Sequence, residues 1–520
     1  MKLSKLSFAV TVALTASVTT SAFALDLYVD TKTKQIFAEP GKGRQKLGAF
    51  EKVDESAHSS PHSAHSAHSA NFVNNENTIQ AVESEKAEIH KIEQDLELKG
   101  NEIKALEEHI AANKESAAKN DEKWFNKISM RGYTQLRYNQ ALSGDREARG
   151  KIDPEMKSPG DSGIKDNGGF AFRRVRLVFS GDINDYVSLY IQPDFASNVS
   201  DSQQHFVQLR DAYADLAFDK KHEYRIRAGQ SKVAFGWENL QSSQNRVALD
   251  RNDALNSAVP SERDLGLFAY WAPSEVQTLW KNLSKKGLKT SGDYGILGLG
   301  VYNGQGVNKA ETNDDLYLVA HSTYPIELNF LGSFFKGQVL EVGADAISGK
   351  FNTTTADLTL LDGRKLLKTD IDKTIVGLEG KKGIREERVG VHAILFPQPF
   401  GLQSEWNWGE GATLNTDGKG SIEKQKLSGG YVQAMYKIDK LLRSDDSLMP
   451  YVKWQTYDGA YKGANNAPRV SVEEVEAGVE WQMMKALELT VAYSNMDRTN
   501  TSNLGQAKGD MIRTQLQWNY

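Results

Sequence analysis

The stretch Ala171–Phe195, AFRRVRLVFSGDINDYVSLYIQPDF, constrains this chain more than any other part of it. In its first half Val175, Leu177 and Phe179 fall on one face of an extended strand, and Arg174, Arg176 and Ser180 on the other; Arg173 stands outside the alternation. After Gly181-Asp182-Ile183-Asn184-Asp185 the pattern restarts, with Val187, Leu189, Ile191 and Phe195 opposing Ser188, Tyr190, Gln192 and Asp194. Alternate side chains point to opposite faces of a strand, so two such runs about a short Gly/Asp/Asn turn predict an antiparallel hairpin. One hairpin would also suit a half-buried soluble sheet. Repetition decides between the two, because the unit recurs to the last residue with a continuous apolar face and an arginine-bearing polar face. That is the pattern of a membrane-spanning β-barrel, with lipid outside and water inside.

Sixteen strands can be read. After the first, near Ile128–Asn139, and the founding hairpin come Phe206–Phe218 and Glu223–Lys232. The rest lie near Arg263–Trp271, Asp293–Asn303, Asp314–Thr323, Gln338–Ser348, Glu387–Phe396, Leu402–Trp408, Gly429–Ile438, Met449–Tyr457, Val472–Gln482, Ala486–Asn495 and Asp510–Tyr520. Long and short connections alternate: Gly349–Glu386 and Glu410–Ser428 are long, Pro397–Gly401 and Met483–Lys485 short. An even strand count with long loops at one end and turns at the other suits an outer-membrane barrel. In Phe206–Phe218, Asp211, Tyr213 and Asp215 fall on the apolar phase, which a bulge at an unassigned position would correct. Trp406, Trp408, Trp454, Trp481 and Trp518 are expected at strand ends as an interfacial girdle.

Residues 1–24 read as a secretory signal: Lys2 and Lys5, an apolar run from Leu6 to Val18, then Ala22-Phe23-Ala24. Its removal would take the net charge from -5 to -7, which argues against a nucleic-acid partner. The chain has no cysteine, so disulfides, thiol nucleophiles and thiolate metal sites are excluded. Residues 25–55 carry a short hairpin pattern, Leu27-Tyr28-Val29 with Gln35-Ile36-Phe37, and 56–75 form a Ser/Ala/His-rich linker. His58, His62, His65 and His68 there lack accompanying carboxylates and read as spacer, not metal site. From 76 to 118 the period becomes seven, with Val82, Ile89, Leu96, Ile103 and Ile110 in one seam. Such a seam predicts an α-helical coiled coil, and its isoleucine content favours a trimer over a dimer. Gly100 is expected to weaken the helix. The barrel occupies 124–520. The fold class is thus all-β, a 16-stranded antiparallel transmembrane barrel with an N-terminal periplasmic helical coiled coil.

Four segments, FRRVRLVFSGDINDYVSLYIQPDFA, LRDAYADLAF, RIRAGQSKVAFGWENLQSSQN and VYNGQG, occur in this order. With them the chain from Trp124 to Tyr520 resembles the phosphate-selective porin O/P family of Gram-negative outer membranes. The resemblance implies a trimeric barrel whose third extracellular loop, here Val233–Glu262, folds inward as the constriction. It also implies a ladder of cations for phosphate, matched by Arg173, Arg174 and Arg176. Arg137, Arg225, Arg227 and Lys232 join them by alternation, and Arg251 and Arg263 by their place in or beside the loop. A guanidinium facing water offers a planar fork of donors for phosphate or carboxylate.

Two features depart from the family pattern. The coiled coil is one. The other is a set of lumen-phase carboxylates, Glu341, Asp345, Glu405, Glu474, Glu476, Glu480 and Glu488, of which Glu405, Glu476, Glu480 and Glu488 should form an acidic region apart from a basic wall. The expected function is passive diffusion of small hydrophilic solutes, anion-leaning, with phosphate as candidate; partners are outer-membrane lipid, two further copies of the chain and small anions. The alternative is a non-selective porin that also tethers the membrane to cell wall through its coil. His205, His222, His321 and His392 accompany no nucleophile motif, so neither catalysis nor a cofactor is expected.

Overall fold

The computed structural model describes residues 25–30, 36–37, 44–50, 75–121, 123–144, 156, 158, 161, 164, 168–197, 206–379 and 383–520. The signal reading and nearly all of the His-rich linker therefore lie outside the described residues. The chain divides into two units, Met1–Lys104 and Ala105–Tyr520. In the first, β1 (Leu25–Asp30) pairs with β2 (Ile36–Phe37) as the hairpin pattern predicts, and also with β3 (Arg44–Phe50), which the pattern did not reveal. Helix α1, Asn75–Asp121, spans the division between the units and continues through Gly100 without a break.

The second unit is a closed antiparallel barrel. Its strands are β4 (Ser129–Gly144), β5 (Gly169–Asn184), β6 (Val187–Ser197), β7 (Phe206–Ala217), β8 (Tyr224–Lys232), β9 (Arg263–Trp271), β10 (Leu297–Tyr302), β11 (Tyr317–Glu327) and β12 (Val339–Phe351). A small hairpin, β13 (Leu358–Thr359) and β14 (Lys365–Leu366), precedes β15 (Ile384–Leu395), β16 (Phe400–Asn415) and β17 (Ser421–Tyr436). Then come β18 (Ile438–Asp439), β19 (Ser447–Ala460), β20 (Arg469–Met484), β21 (Leu487–Thr499) and β22 (Gln506–Asn519), which closes on β4. Because β18 continues β17 against the same partner, β19, the ring counts sixteen strands. Closure removes every sheet edge, the condition for strands to cross a bilayer.

The faces follow the alternation. On β5, Arg174, Arg176 and Val178 are buried inside the ring, whereas outward residues such as Leu267, Leu299, Leu318 and Val389 are all more than half exposed. Two irregularities explain where the pattern broke. Gln135 pairs with Arg174 while the next residue, Leu136, pairs with Phe172, so Arg173 is a bulge residue and turns inward beside Arg174. Likewise Gln192 pairs with Asp211 and Pro193 with Leu209, which places the missing bulge at Arg210. Asp211 is then buried in the ring and Leu209 faces out. Trp481 and Trp518 lie near the turn end, while Trp406, Trp408 and Trp454 sit on the outer face further along, Trp406 and Trp454 with ring centroids 6.1 Å apart.

Among the described residues, two connections contribute helices to the inside of the ring, and the β4–β5 connection contributes Asp161, buried against Arg137 and Arg513. The loop from Val233 to Glu262, with α2 (Trp237–Leu240) and α3 (Asp253–Ala258), is buried along most of its length. Its Val233, Phe235, Leu255 and Val259 pack on inward Phe268, Tyr302, Tyr317 and Ile347. Its tip, Val247-Ala248-Leu249, packs on Met435, Met449 and Tyr451. The second is unexpected. The connection from β9 to β10, at the turn end, contains α4 (Ser274–Lys285), whose Val276, Trp280 and Leu283 join Trp237, Ile394 and Phe396 in one core. This breaks the expected alternation of long and short connections, because an apolar helix face of this size is stable only where it is covered.

Candidate pore constriction

The inward loop is fixed by lumen-phase carboxylates that depart from the family pattern. The backbone N–H groups of Trp237 and Glu238 donate to Glu405 at 2.9 and 3.0 Å, and that of Gly236 to Asp345 at 3.1 Å. Glu341 accepts the indole N–H of both Trp237 and Trp280, each at 3.2 Å. Gly236 has φ 85°, and a Cβ there would stand 2.3 Å from Leu255 and 2.7 Å from Glu405, so only glycine permits the approach. From the opposite direction Lys232 donates to the carbonyls of Asn239, Leu240 and Gln241 at 2.9, 3.2 and 2.6 Å. It binds the loop rather than pointing into open water.

The arginines predicted from sequence line one sector of the ring, but carboxylates are interleaved with them. Arg176 donates to Asp194 at 2.7 Å, Arg227 to Asp215 at 2.7 and 2.8 Å, and Arg225 to Asp293 at 2.8 Å. Arg263 bonds Asp211 at 3.1 Å and also Glu262. Arg251 is held by Asn256, Asn239 and the Val259 carbonyl, inside the loop. Arg174 differs from these. It donates to the Gln135 amide oxygen at 2.8 Å, its Nε has no partner, and among the described residues no carboxylate pairs with it. The expected basic wall is therefore a mixed surface, because β6 and β7 insert Asp194, Asp211 and Asp215 between the arginines of β5 and β8.

Between the loop and the sector of β19 to β22 lies a space of about 10 Å³, room for about one water molecule. Four carboxylates and four cations face it: Asp250, Asp253, Glu474 and Glu476 against Arg251, Lys453, Arg498 and Arg513. Arg137 reaches Asp250 at 2.8 Å and Asp161, from the β4–β5 loop, at 2.5 Å. Arg513 bonds Asp161 at 2.9 Å, Glu476 at 3.0 Å, and Asp250. Arg498 bridges Glu474 at 2.7 Å and Asp253 at 2.9 Å. Burial alone would raise the Asp250 carboxyl, but Arg137 and Arg513 hold it well below its ordinary range. The constriction thus sets four carboxylates against four cations. Sequence reasoning missed Arg498, Arg513 and Lys453, although each falls on the lumen phase of its strand. A larger concavity, about 940 Å³, lies on the outer wall among Leu267, Leu299, Leu318 and Trp408 and is no part of the passage.

Solved structures similar to this chain include the outer-membrane channel DcaP of Acinetobacter baumannii, at 13% identity and TM-score 0.42, covering 76% of this chain and 97% of that one. Salmonella typhi OmpF in complex with daunomycin gives 13%, 0.46, 76% and 98%. An anion-selective porin from Comamonas acidovorans gives 8%, 0.42, 76% and 99%. A search of curated proteins finds no match. The family profile described as phosphate-selective porin O and P matches residues 148–520, which includes the founding hairpin, the inward loop and nearly all of the wall. The chain belongs to the phosphate-selective porin O and P family, and it forms an outer-membrane channel.

Proposed function

We propose that this channel passes small hydrophilic solutes with a modest preference for anions, phosphate among them, rather than strict selection of phosphate. The observation that carries the reading is the charge-matched constriction. Ions of either sign find partners there, and conduction requires contacts strong enough to admit a solute and weak enough to release it. Arg174, without a carboxylate partner among the described residues, supplies the anionic bias. Planar-bilayer recording in asymmetric salt tests this. A reversal potential near the chloride equilibrium value would show strict anion selection, and one displaced toward the cation value would remove the anionic bias; either result rejects the proposal.

Assembly belongs to the same reading. Ile89, Leu96, Ile103 and Ile110 form an uncovered stripe along α1, 55%, 72%, 61% and 47% exposed. Such a stripe needs partner helices, and two further copies of the chain supply them as a three-stranded coil on the periplasmic side. A peptide of residues 76–118 should sediment as a trimer. A peptide that stayed monomeric and unfolded at high concentration would reject the coil. Deleting the segment should weaken the trimer without abolishing it, since barrel contacts remain.

A further inference from the structure

The connection between β9 and β10 does more than fill the turn end. These are the sixth and seventh strands of the ring. Beyond α4 the chain runs through Leu288, Lys289, Thr290 and Ser291, of which Leu288, Thr290 and Ser291 are buried. Lys289 Nζ bonds Glu480 on β20 and, at 3.1 Å, Glu488 on β21. Those are the fourteenth and fifteenth strands, eight further on in a ring of sixteen, and so on the opposite wall. Glu488 is the second residue of β21 and Glu480 lies within five residues of the end of β20, which fixes the crossing close to the turn end. The chain then returns to its own wall, where Arg225 grips Asp293 through its carboxylate and carbonyl, both at 2.8 Å. Gly292 and Gly295, with φ 103° and 78°, make the reversal possible.

The crossing segment is also tied to the inward loop. Gln241 donates to the Lys289 carbonyl at 2.7 Å, and Trp237 and Trp280 share Glu341. Loop and segment are thus joined at two points, through Gln241 and through the shared Glu341.

We propose that residues 272–296 form a second constriction in series with the loop constriction, and that Lys289 is a specificity-determining residue. A solute leaving the first ring must pass the Lys289–Glu480–Glu488 cluster, one ammonium shared by two carboxyl groups, before reaching the turn end. Fixed charge governs selection only where the passage is narrower than the screening length, about 8–10 Å at physiological salt. A bridge across the lumen imposes that condition. This rests on the channel reading, which is tested separately by the wild-type protein.

Single-channel recording of the full-length protein in asymmetric 0.1 M-range salt tests the proposal. Lys289→Ala removes the cation and should lower the anion-to-cation permeability ratio by about fourfold, since one unit charge close to the ion path changes the local concentration of each ion about twofold with opposite sign. The double variant Glu480→Gln/Glu488→Gln keeps Lys289 and should raise the ratio. Lys281→Ala, on the exposed face of α4, should leave it unchanged. Opposite signs from the first two variants support a selecting cluster. A purely structural strap would give shifts of the same sign or none, and either would overturn the proposal. If Lys289→Ala does not fold, the double variant decides: a ratio equal to or below wild type overturns it. Wild-type protein without conductance steps would instead defeat the channel reading itself.

Discussion

Replacing Arg513 with glutamine removes one of four cations at the loop constriction and leaves Asp250 and Glu476 without their shared partner. The space holds about one water molecule, so an ion passing there would lie within about 5 Å of the missing charge. In water that charge contributes about 0.8 kcal/mol, which screening at 0.1 M reduces to about 0.5 kcal/mol. Local occupancy then changes about 2.3-fold, upward for cations and downward for anions, and the permeability ratio moves about fivefold toward cations. Across a tenfold salt gradient a channel starting near neutrality should shift its reversal potential by about 30 mV, roughly half of the 59 mV limit. In 1 M salt the screening length is about 3 Å, and the change in ratio should fall below twofold. Arg513→Lys keeps the charge and should keep the reversal potential. Planar-bilayer recording at both salt concentrations reads the effect. A shift of equal size at 0.1 and 1 M would mean that pore size had changed instead, and a shift toward anions would refute the charge assignment outright.

Arg174→Gln should move the reversal potential toward cations with little loss of stability, whereas Arg176→Gln takes from buried Asp194 its guanidinium partner and should cost about 1–3 kcal/mol in urea unfolding. Equal stability of the two variants would contradict the pairing. Gly236→Ala forces a side chain onto Leu255 and Glu405 and should displace the inward loop, raising single-channel conductance; unchanged conductance would mean that the loop does not limit the pore. At the β7–β8 turn the backbone N–H of Tyr224, with those of Glu223 and Lys221, donates to Asp219 and holds its carboxyl below the ordinary range. A group with a lowered folded pKa stabilises above its unfolded value and loses that contribution as pH falls through the folded one. Asp219→Ala should therefore be less stable than wild type at pH 7, with the difference shrinking below about pH 3.8. A difference that held constant to pH 2 would refute the capping role.

Much of the wall was legible because its signal is local. In a membrane barrel each strand must satisfy lipid on one face and water on the other, so Val175/Leu177/Phe179 against Arg174/Arg176 reveals both strand and orientation at once. All sixteen strands fall near where alternation puts them, and the two lapses in phase, at Arg173 and before Asp211, are bulges. One connection was misread: Glu410–Ser428, expected to be a long loop, is mostly paired strand, because β16 runs to Asn415 and β17 starts at Ser421. The seven-residue period of 82–110 likewise falls within a helix, although Gly100 does not interrupt it, since a single glycine costs only about 1 kcal/mol in a helix of 47 residues. The lumen was less legible. Glu405, Asp345 and Glu341 looked like obstacles to anion passage, yet they accept hydrogen bonds from Gly236, Trp237, Glu238 and Trp280 and hold the inward loop and α4.

The amino-acid sequence by itself determined the barrel, its strands and the two faces of each, because period-two burial is a property of neighbouring residues in one chain. Which charges meet across the lumen was decided only by the tertiary structure. Arg513 with Asp161 and Asp250, Arg498 with Asp253, and Lys289 with Glu480 and Glu488 join residues 191 to 352 positions apart. Closing the ring and folding connections into it brings them together. No local pattern encodes that, since a charged residue reads alike in sequence whether its partner is water, a solute or an opposite charge on the far wall.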